Sequence, residues 1–277
     1  MSKFQPGILA PVPALSQYLE FSHIPDTDAV PVLRELASRS FGEELVVGFG
    51  AGLVQGLGKS IAGLRAFPAL SGPDCSIPSV QADIWIFIRG TDRGEIYKQG
   101  RELQNLLADA FRLERAVDGF KHAEGRDLTG YEDGTENPEG AAALEAAIVN
   151  GVSDDLDGSS FVAVQKWQHD LDRFDTFSQT EKDHIIGRQL SDNVELSDAP
   201  ESAHVKRTAQ ESFDPEAFVV RRSMPWTAGQ DGGLMFVAFG HSLEAFEAQL
   251  RRMAGLEDGL LDGLFRFTRP LTGGYYW

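Results

Sequence analysis

Residues 84–92 read Ile84-Trp85-Ile86-Phe87-Ile88-Arg89-Gly90-Thr91-Asp92, an unbroken apolar run that ends in a short polar turn. Such a run, bounded by glycine and a capping residue, predicts a buried strand, and Thr91 or Asp92 can cap a helix that follows it. Apolar side chains then recur at helical spacing at Ile96, Leu103, Leu106 and Leu107. The stretch therefore predicts a strand, a cap and an amphipathic helix.

The same succession occurs in the second half of the chain. The apolar residues 234–239 end at Gly240-His241-Ser242, with Ser242 as the expected cap. The apolar positions of the following helix are Leu243, Phe246, Leu250 and Met253. Two units of this kind indicate an α+β fold made of two ferredoxin-like halves.

Further strands are predicted at residues 44–50, 112–118 and 160–167. The Ala-rich residues 141–149 favour a helix, and the first half ends near Asn150-Gly151. We therefore expect two domains, 1–150 and 151–277. Residues 187–200, rich in Ser, Asp and Asn, predict a long loop, a kind of segment that is often functional in compact domains.

Composition and charge exclude several classes of protein. The chain has 277 residues, of which 42% are hydrophobic, which is typical of a compact rather than a disordered protein. The lone Cys75 excludes an internal disulfide and suits a reducing compartment. We see no export signal and no apolar run near the ~20 residues of a membrane span, so we expect a cytoplasmic location. With 25 basic and 42 acidic side chains, the net charge of −17 disfavours nucleic acids and anionic membranes as partners.

Residues 130–138, Gly130-Tyr131-Glu132-Asp133-Gly134-Thr135-Glu136-Asn137-Pro138, place one carboxylate in a turn bracketed by glycines. Glycines allow positive φ angles and a close approach of a flat ligand. The pattern Gly-x-x-Asp-Gly is not decisive, since it recurs at residues 255–259. By contrast, glycines at Gly48, Gly50 and Gly52 do not predict a dinucleotide site, because Leu53 stands where the third glycine of Gly-x-Gly-x-x-Gly belongs.

Two later segments give the turn its context: Ala203-His204-Val205-Lys206-Arg207-Thr208 and Val220-Arg221-Arg222-Ser223-Met224-Pro225. In this order the three segments resemble the dye-decolourising peroxidases, and within them the bacterial B-type class. The likeness extends over nearly the whole chain, through residues 5–8, 47–50, 67–70, 83–90, 164–170, 186–188 and 271–274.

The resemblance implies a dimeric α+β barrel-like fold, with antiparallel sheets and peripheral helices. It implies a haem b peroxidase that reduces hydrogen peroxide and oxidises dyes, phenolic compounds and Mn(II), and that forms a homo-oligomer. With only Cys75, the haem would be held non-covalently. We see no tail after Trp277 of the kind that docks encapsulated relatives in a protein shell, so packaging is not expected.

The resemblance also assigns roles at the expected haem site. His204 is the iron ligand, and a carboxylate should support its other nitrogen; Asp262 is the expected partner, with Asp258 as the alternative. Asp133 would carry the proton that makes O–O cleavage heterolytic. Arg221 would stabilise negative charge on the peroxide, with Arg222 as its rival. Since an unperturbed aspartic acid has a pKa of about 3.9, we expect an acidic optimum for dye oxidation.

Other residues receive supporting roles from the same resemblance. Val164, Gln165 and Lys166 are expected against the haem, with Lys166 or Arg207 paired to a propionate. Ser223 departs from relatives that have Asn at this position. Electrons from bulky reductants would need redox-active relays, for which the candidates are Tyr131, Trp167, Trp226 and Trp277.

Two other functions stay open at this point. A haem-handling protein, which delivers haem or releases its iron, would need His204 but no proton carrier. An acidic α+β module with no cofactor would need neither.

Overall fold

The computed structural model describes residues 4–39, 41–153 and 155–277. The elements of the first half are β1 Leu15–His23, α1 Val30–Ser38, β2 Leu45–Phe49, α2 Ala51–Gly56, β3 Leu70–Ser71, β4 Ser76–Ile77, β5 Ile84–Gly90, α3 Arg93–Leu107, β6 Phe111–Phe120 and α4 Gly140–Ala147. Those of the second half are β7 Phe161–His169, α5 Leu171–Asp175, α6 Gln179–Ile186, α7 His204–Arg207, β8 Val220–Arg221, β9 Met224–Ala228, β10 Asp231–Gly240, α8 Glu244–Met253, β11 Thr268–Pro270 and β12 Gly274–Tyr276.

The strands have the same order in both halves. In the first half β6, β1, β5 and β2 lie side by side, and in the second half β11, β7, β10 and β9 do so, with every pair antiparallel. When the four strands of each half are numbered by their order in the chain, they lie side by side in the order 4-1-3-2. Each half therefore has ferredoxin-like strand order, and the predicted α+β class with antiparallel sheets and peripheral helices is confirmed.

Two contacts join the halves into a barrel-like sheet. At one junction β6 pairs with β9 through Gly119 and Trp226. At the other, Phe49 of β2 and Trp277, which directly follows β12, exchange backbone hydrogen bonds of 2.9 Å in both directions. Because β12 also pairs with β7, the outer strands of the two halves meet there.

The strand β7 separates two apolar cores. Its residues Val162 and Val164 pack in a cluster with Trp85, Met224 and Tyr276 inside the barrel-like sheet. Ala163 and Trp167 belong to a second cluster with Phe246 and Leu250 of α8. This alternation follows from the two-residue period of a strand. It places successive β7 residues on opposite faces of the sheet, which decides which of them can reach a site beneath α8.

The helix starts agree with the sequence prediction in one half only. Asp92 caps α3, since its side chain accepts a 2.9 Å hydrogen bond from Glu95 N. The prediction that Ser242 caps α8 is wrong, because the flanking residue is Leu243 and its side chain makes no capping bond. Within the described residues, no helix combines the length and apolar character needed to cross a membrane.

Candidate active site

A pocket lies between α8, strands β7 and β10 of the second half, and the loop that carries Asp133. Much of its wall is apolar and includes Leu234, Phe236, Phe246, Leu250, Met253 and Phe267. The polar residues on its wall include His204, Asp133, Arg221 and Gln165. The structure thus brings four of the predicted site residues into one cavity.

His204 opens α7 and contacts a buried carboxylate. Its Nδ1 lies 2.9 Å from Asp262 Oδ2. The other oxygen of Asp262 accepts a 2.8 Å hydrogen bond from Leu264 N, so the carboxylate, only 1% exposed, is held on both sides. With Nδ1 engaged in this way, Nε2 is the nitrogen left to bind a metal.

The alternative partner, Asp258, binds Arg207 instead. The guanidinium donates to both oxygens of Asp258, at 2.6 and 2.8 Å, and to Arg252 O. The hydrogen bonds from Arg207 hold the pKa of Asp258 at about 2, below its ordinary value. Arg207 is buried and is not among the residues that line the pocket. Its expected role as a propionate partner is therefore corrected to a structural one.

Asp133 is held in a turn whose glycines have the expected conformation. Gly130 and Gly134 have φ angles of +90° and +80°. Asp133 N donates to Gly125 O at 2.9 Å, which closes the loop behind the carboxylate. Asp133 Oδ1 lies 3.4 Å from Arg221 Nη1, and both side chains remain about one fifth exposed to the cavity. The two residues therefore present an acid–base group and a fixed cation at one place.

Arg222, the rival of Arg221, points elsewhere. Its guanidinium donates to Leu9 O and Ala10 O at 2.8 Å each, and to Arg221 O at 2.9 Å. Burial lowers its pKa to about 10. Since all three acceptors are backbone carbonyls, Arg222 fastens the N-terminal segment, and Arg221 is the arginine at the pocket.

Of the three expected β7 residues, only Gln165 reaches the pocket. Gln165 is 1% exposed, and its Nε2 has no hydrogen-bond partner among the described residues, while Trp167 Nε1 donates to its Oε1 at 3.3 Å. Val164 belongs to the interior core. Lys166 Nζ lies 3.6 Å from the centre of the Trp226 ring. The expected contacts of Val164 and Lys166 with the cofactor are therefore corrected, because the strand turns both side chains to the other face.

Ser223 lies behind the Asp133–Arg221 pair. Its hydroxyl accepts a 3.3 Å hydrogen bond from Val237 N. It lines a second cavity that also touches Asp133, Arg221 and Asn137. Ser223 is thus a neighbour of the pair, and the main pocket does not include it.

The sequence prediction missed two polar contacts around the turn. Asn137 binds the backbone of Arg221 through both ends of its amide, at 2.7 and 3.1 Å. The second contact joins His169 Nε2 to Asp127 Oδ1, at 3.0 Å, on the pocket wall. Burial raises the pKa of Asp127, but the contacts with His169 and Thr129 outweigh it and lower the value to about 2. The Asn-Pro after the turn was the only signal for Asn137, since its partner is distant in the chain.

The expected relay residues occupy different positions. Tyr131 and Trp167 line the pocket. The Tyr131 hydroxyl donates to Asp183, and burial together with that carboxylate raises its pKa. Trp226 Nε1 donates to Trp167 O at 2.9 Å, so these two indoles are neighbours. Trp277 lies at the seam of the sheet, where it pairs with Phe49.

Two family models match most of the chain. The family model described as Dyp-type peroxidase, C-terminal, matches residues 124–277, and the one described as Dyp-type peroxidase, N-terminal, matches residues 20–121. The two matches meet ahead of the predicted boundary at residue 150, so the turn with Asp133 lies in the C-terminal match. The division into domains 1–150 and 151–277 stays a prediction.

Two curated relatives illustrate the similarity. The chain is 31% identical over 222 residues to a dye-decolorizing peroxidase of Mycolicibacterium paratuberculosis, an alignment that covers 78% of this chain and 63% of that protein. It is 32% identical over 240 residues to a dye-decolorizing peroxidase of Rhodococcus erythropolis, with 84% and 70% covered. The chain thus spans just under two thirds of the length of the first of these relatives.

Solved structures match over almost the full chain. A variant of Rhodococcus jostii DypB in complex with heme superposes with a TM-score of 0.91 at 28% identity, covering 100% of this chain and 96% of that one. A dye-decolorizing protein from Vibrio cholerae gives a TM-score of 0.86 at 28% identity, covering 98% and 95%. Since a family model matches more than half of the residues, the chain belongs to the Dyp-type peroxidase family.

Proposed function

We propose that this protein is a haem b peroxidase that reduces hydrogen peroxide and oxidises dyes and phenolic compounds. One observation carries the proposal: a single pocket is lined by a histidine with a buried carboxylate partner and by an Asp133–Arg221 pair. A haem peroxidase needs both, the first to hold the iron and the second to act on the peroxide. Family membership supports the same activity.

The pocket residues suit a non-covalent porphyrin. The apolar wall from β10 and α8 fits the face of a large flat ring, whose burial from water is favourable. The unpartnered Nε2 of the buried Gln165 is a donor that a bound ligand would satisfy. Cys75 lies outside the lining, so no thiol is placed to attach the ring covalently. We therefore assign His204 Nε2 as the ligand of the haem iron.

Bound haem supplies the redox-active iron at which the peroxide O–O bond is split. Asp262 acts through His204, since a carboxylate on Nδ1 fixes the ring orientation and increases the donor strength of Nε2. Asp133 would accept a proton from one peroxide oxygen and return it to the other. The second oxygen would then leave as water, so that the O–O cleavage is heterolytic.

Arg221 contributes a fixed positive charge next to Asp133. Its guanidinium stabilises the negative charge that develops on the departing oxygen, and it needs no reorganisation because it is already at the pocket wall. Removal of one such donor typically costs a factor of roughly 10²–10³ in turnover.

The reductant is assigned here only by class. A bulky dye does not fit a pocket already filled by a porphyrin, so its electrons would arrive through residues such as Tyr131 and Trp167. The described residues include no group of three or more His, Cys, Asp or Glu side chains that could hold a metal ion. Cytoplasmic location and homo-oligomeric assembly stay predictions.

The Asp133–Arg221 pair favours a peroxidase over a haem-handling protein. Haem delivery or iron release requires a ligand for the iron but gives no role to a paired carboxylate and guanidinium at the same cavity. A module with no cofactor would explain neither Gln165 Nε2, which has no hydrogen-bond partner among the described residues, nor the Asp262–His204 pair.

The test compares three variants of haem-loaded protein. His204→Ala should lose the Soret band, and Asp133→Asn should keep it while kcat/KM for peroxide falls by about 10²–10⁴-fold. Asp198→Asn is the control, because it also replaces one carboxylate by an amide, at an exposed position outside the pocket lining. Wild-type turnover in Asp133→Asn would refute the proposal, and iron release with intact porphyrin, unaffected by Asp133→Ala, would favour haem handling.

A further inference from the structure

The side chain of Asn137 makes two hydrogen bonds to one residue that lies 84 positions away. Its Oδ1 accepts from Arg221 N at 2.7 Å, and its Nδ2 donates to Arg221 O at 3.1 Å. An amide side chain offers one donor group and one acceptor, as a peptide unit does. Asn137 therefore pairs with the backbone of Arg221 as a neighbouring strand would.

The backbone of Arg221 is free to make this contact because of its place on β8. The next residue, Arg222, donates its N–H to Val237 O of β10 at 2.8 Å. Since the hydrogen-bonding groups of successive strand residues point to opposite edges, those of Arg221 point away from β10. Asn137 lies at that edge, and Arg221 O additionally accepts from Arg222 Nη1 at 2.9 Å.

The turn that carries Asp133 is built so that Asn137 can reach Arg221. Asn137 N donates to Gly134 O at 3.0 Å, which ties the asparagine to the residue next to Asp133. Gly134 has φ of +80°, and a Cβ atom there would lie 2.9 Å from Asn137 Nδ2. The tight turn from Gly134 to Asn137 therefore fixes the position of Asp133 relative to Asn137.

The direct contact between Asp133 and Arg221 is too long to align the two groups by itself. Their closest atoms are 3.4 Å apart, whereas a tight charge-assisted hydrogen bond measures about 2.7–2.9 Å. A second amide reinforces the backbone link: Gln210 donates to Glu136 O and accepts from Val219 N, each at 2.9 Å. The relative placement of the pair is therefore set by contacts with the backbone.

We infer that Asn137 is a positioning residue, which sets the separation of Asp133 and Arg221 by holding the turn against the edge of β8. This inference rests on the proposed peroxidase function. It predicts that loss of the Asn137 amide impairs every process that needs Asp133 and Arg221 together. Haem binding through His204 should be unaffected.

The first test uses Asn137→Leu, which removes the donor and the acceptor and keeps a side chain with the same number of heavy atoms and the same branching. We expect kcat/KM for peroxide to fall by about 10-fold to 100-fold, since small misplacements of reacting groups have effects of this size. We also expect weaker binding of cyanide, followed by the shift of the Soret band, because HCN must lose a proton and leave an anion beside Arg221. The control is Thr135→Val, which removes a hydroxyl bonded to Asn193 in the same turn.

The second test uses Asn137→Asp and keeps the inference falsifiable if the leucine variant folds poorly. The ionised side chain accepts from Arg221 N but repels Arg221 O, whereas its protonated form restores a donor. Carboxyl groups protonate around pH 4. We therefore expect cyanide affinity, expressed as a ratio to wild type at each pH, to recover as the pH falls. The same ratio for Asn137→Leu should not recover.

Wild-type cyanide affinity and peroxide kinetics in both Asn137 variants would overturn the inference, as would equal losses in Thr135→Val. These outcomes differ from failure of the proposed function. That failure would appear as a wild-type protein without a Soret band or as an Asp133→Asn variant with undiminished turnover.

Discussion

At the scale of single residues, the pair His204–Asp262 carries the strongest evidence for a metal ligand. Asp262 accepts hydrogen bonds on both carboxylate oxygens, from His204 Nδ1 and from Leu264 N. A buried carboxylate held in this way fixes both the tautomer and the orientation of the imidazole. Its contribution to haem binding is therefore measurable apart from any effect on turnover.

We predict that Asp262→Asn weakens haem affinity by about 10-fold to 100-fold, the usual effect of losing a partner of a metal ligand. The neutral amide no longer increases the donor strength of Nε2. Haem transfer to apomyoglobin measures the change as a faster dissociation rate. An unchanged dissociation rate would show that the carboxylate has no such role.

The sequence was sufficient for some of these residues and insufficient for others. Asp133, His204 and Arg221 could be selected because their segments are distinctive. The errors at Val164 and Lys166 arose because a motif does not show which face of a strand a residue occupies. The two-residue period of β7 contained that information, since Gln165 and Trp167 share one face and Val164 the other.

At the scale of elements, Arg207 connects α7, which carries His204, to the end of α8. It binds Asp258 through two hydrogen bonds and Arg252 O through another. Because Arg207 is 5% exposed, its charge is satisfied only while this contact stays intact. The contact therefore fastens α7, a helix of only four residues, to the end of α8.

We predict that Arg207→Leu lowers the free energy of unfolding by about 1–3 kcal/mol, because the charge-assisted hydrogen bonds of the buried guanidinium to Asp258 and its bond to Arg252 O are lost. Haem affinity should change far less, since Arg207 does not line the pocket. Urea unfolding and haem transfer are measured on the same variant. A large loss of haem affinity with unchanged stability would instead support a contact between Arg207 and a propionate.

The contact of Asp127 with His169 ties the loop before Asp133 to β7, and it should make stability depend on pH. The pKa of Asp127 is depressed from an ordinary 3.8 to about 2. The stabilisation of the fold by the ionised Asp127 is therefore complete at pH values above the ordinary pKa of 3.8, and it disappears as the pH falls through about 2. We predict that Asp127→Asn costs about 2 kcal/mol at neutral pH, and that the difference from wild type narrows below pH 4.

Denaturant unfolding at several pH values checks this prediction. Asp198→Asn, at an exposed position, changes the net charge equally and serves as the control. A cost for Asp127→Asn that stayed constant down to the lowest pH would contradict the assigned titration.

The elements themselves were largely predictable, because strand and helix periodicities are local. Asp92, one of the two residues predicted to cap α3, does cap it. The predicted cap at Ser242 is wrong, because α8 begins after Leu243 without a side-chain cap. The bonds from Asn137 to Arg221 were not predictable, since they join residues 84 positions apart and depend on the assembled sheet.

At the scale of the whole molecule, both halves contribute to one barrel-like sheet, and the pocket lies on the outer face of the second half, beneath α8. The chain also carries a net charge of −17. A charge of this size attracts cations from a distance. Salt screens this attraction, and at an ionic strength of 0.1 M the screening length is about 10 Å. The choice of reductant should therefore respond to ionic strength.

We predict that added salt lowers kcat/KM for a cationic reductant and leaves that for a neutral phenol nearly unchanged. The mechanism is screening of long-range attraction, so the effect should follow ionic strength and not the identity of the salt. Steady-state kinetics with the two reductants, at constant peroxide, provide the comparison. Equal responses of both reductants would show that the surface charge does not select between them.

The central claim is that His204 and the Asp133–Arg221 pair act on the two sides of one porphyrin. A crystal structure of the haem-loaded protein tests it most directly. We predict that the iron is bound by His204 Nε2 and that Asp133 and Arg221 face its opposite side. Haem bound through another residue, or an Asp133 carboxylate remote from the iron, would contradict the account.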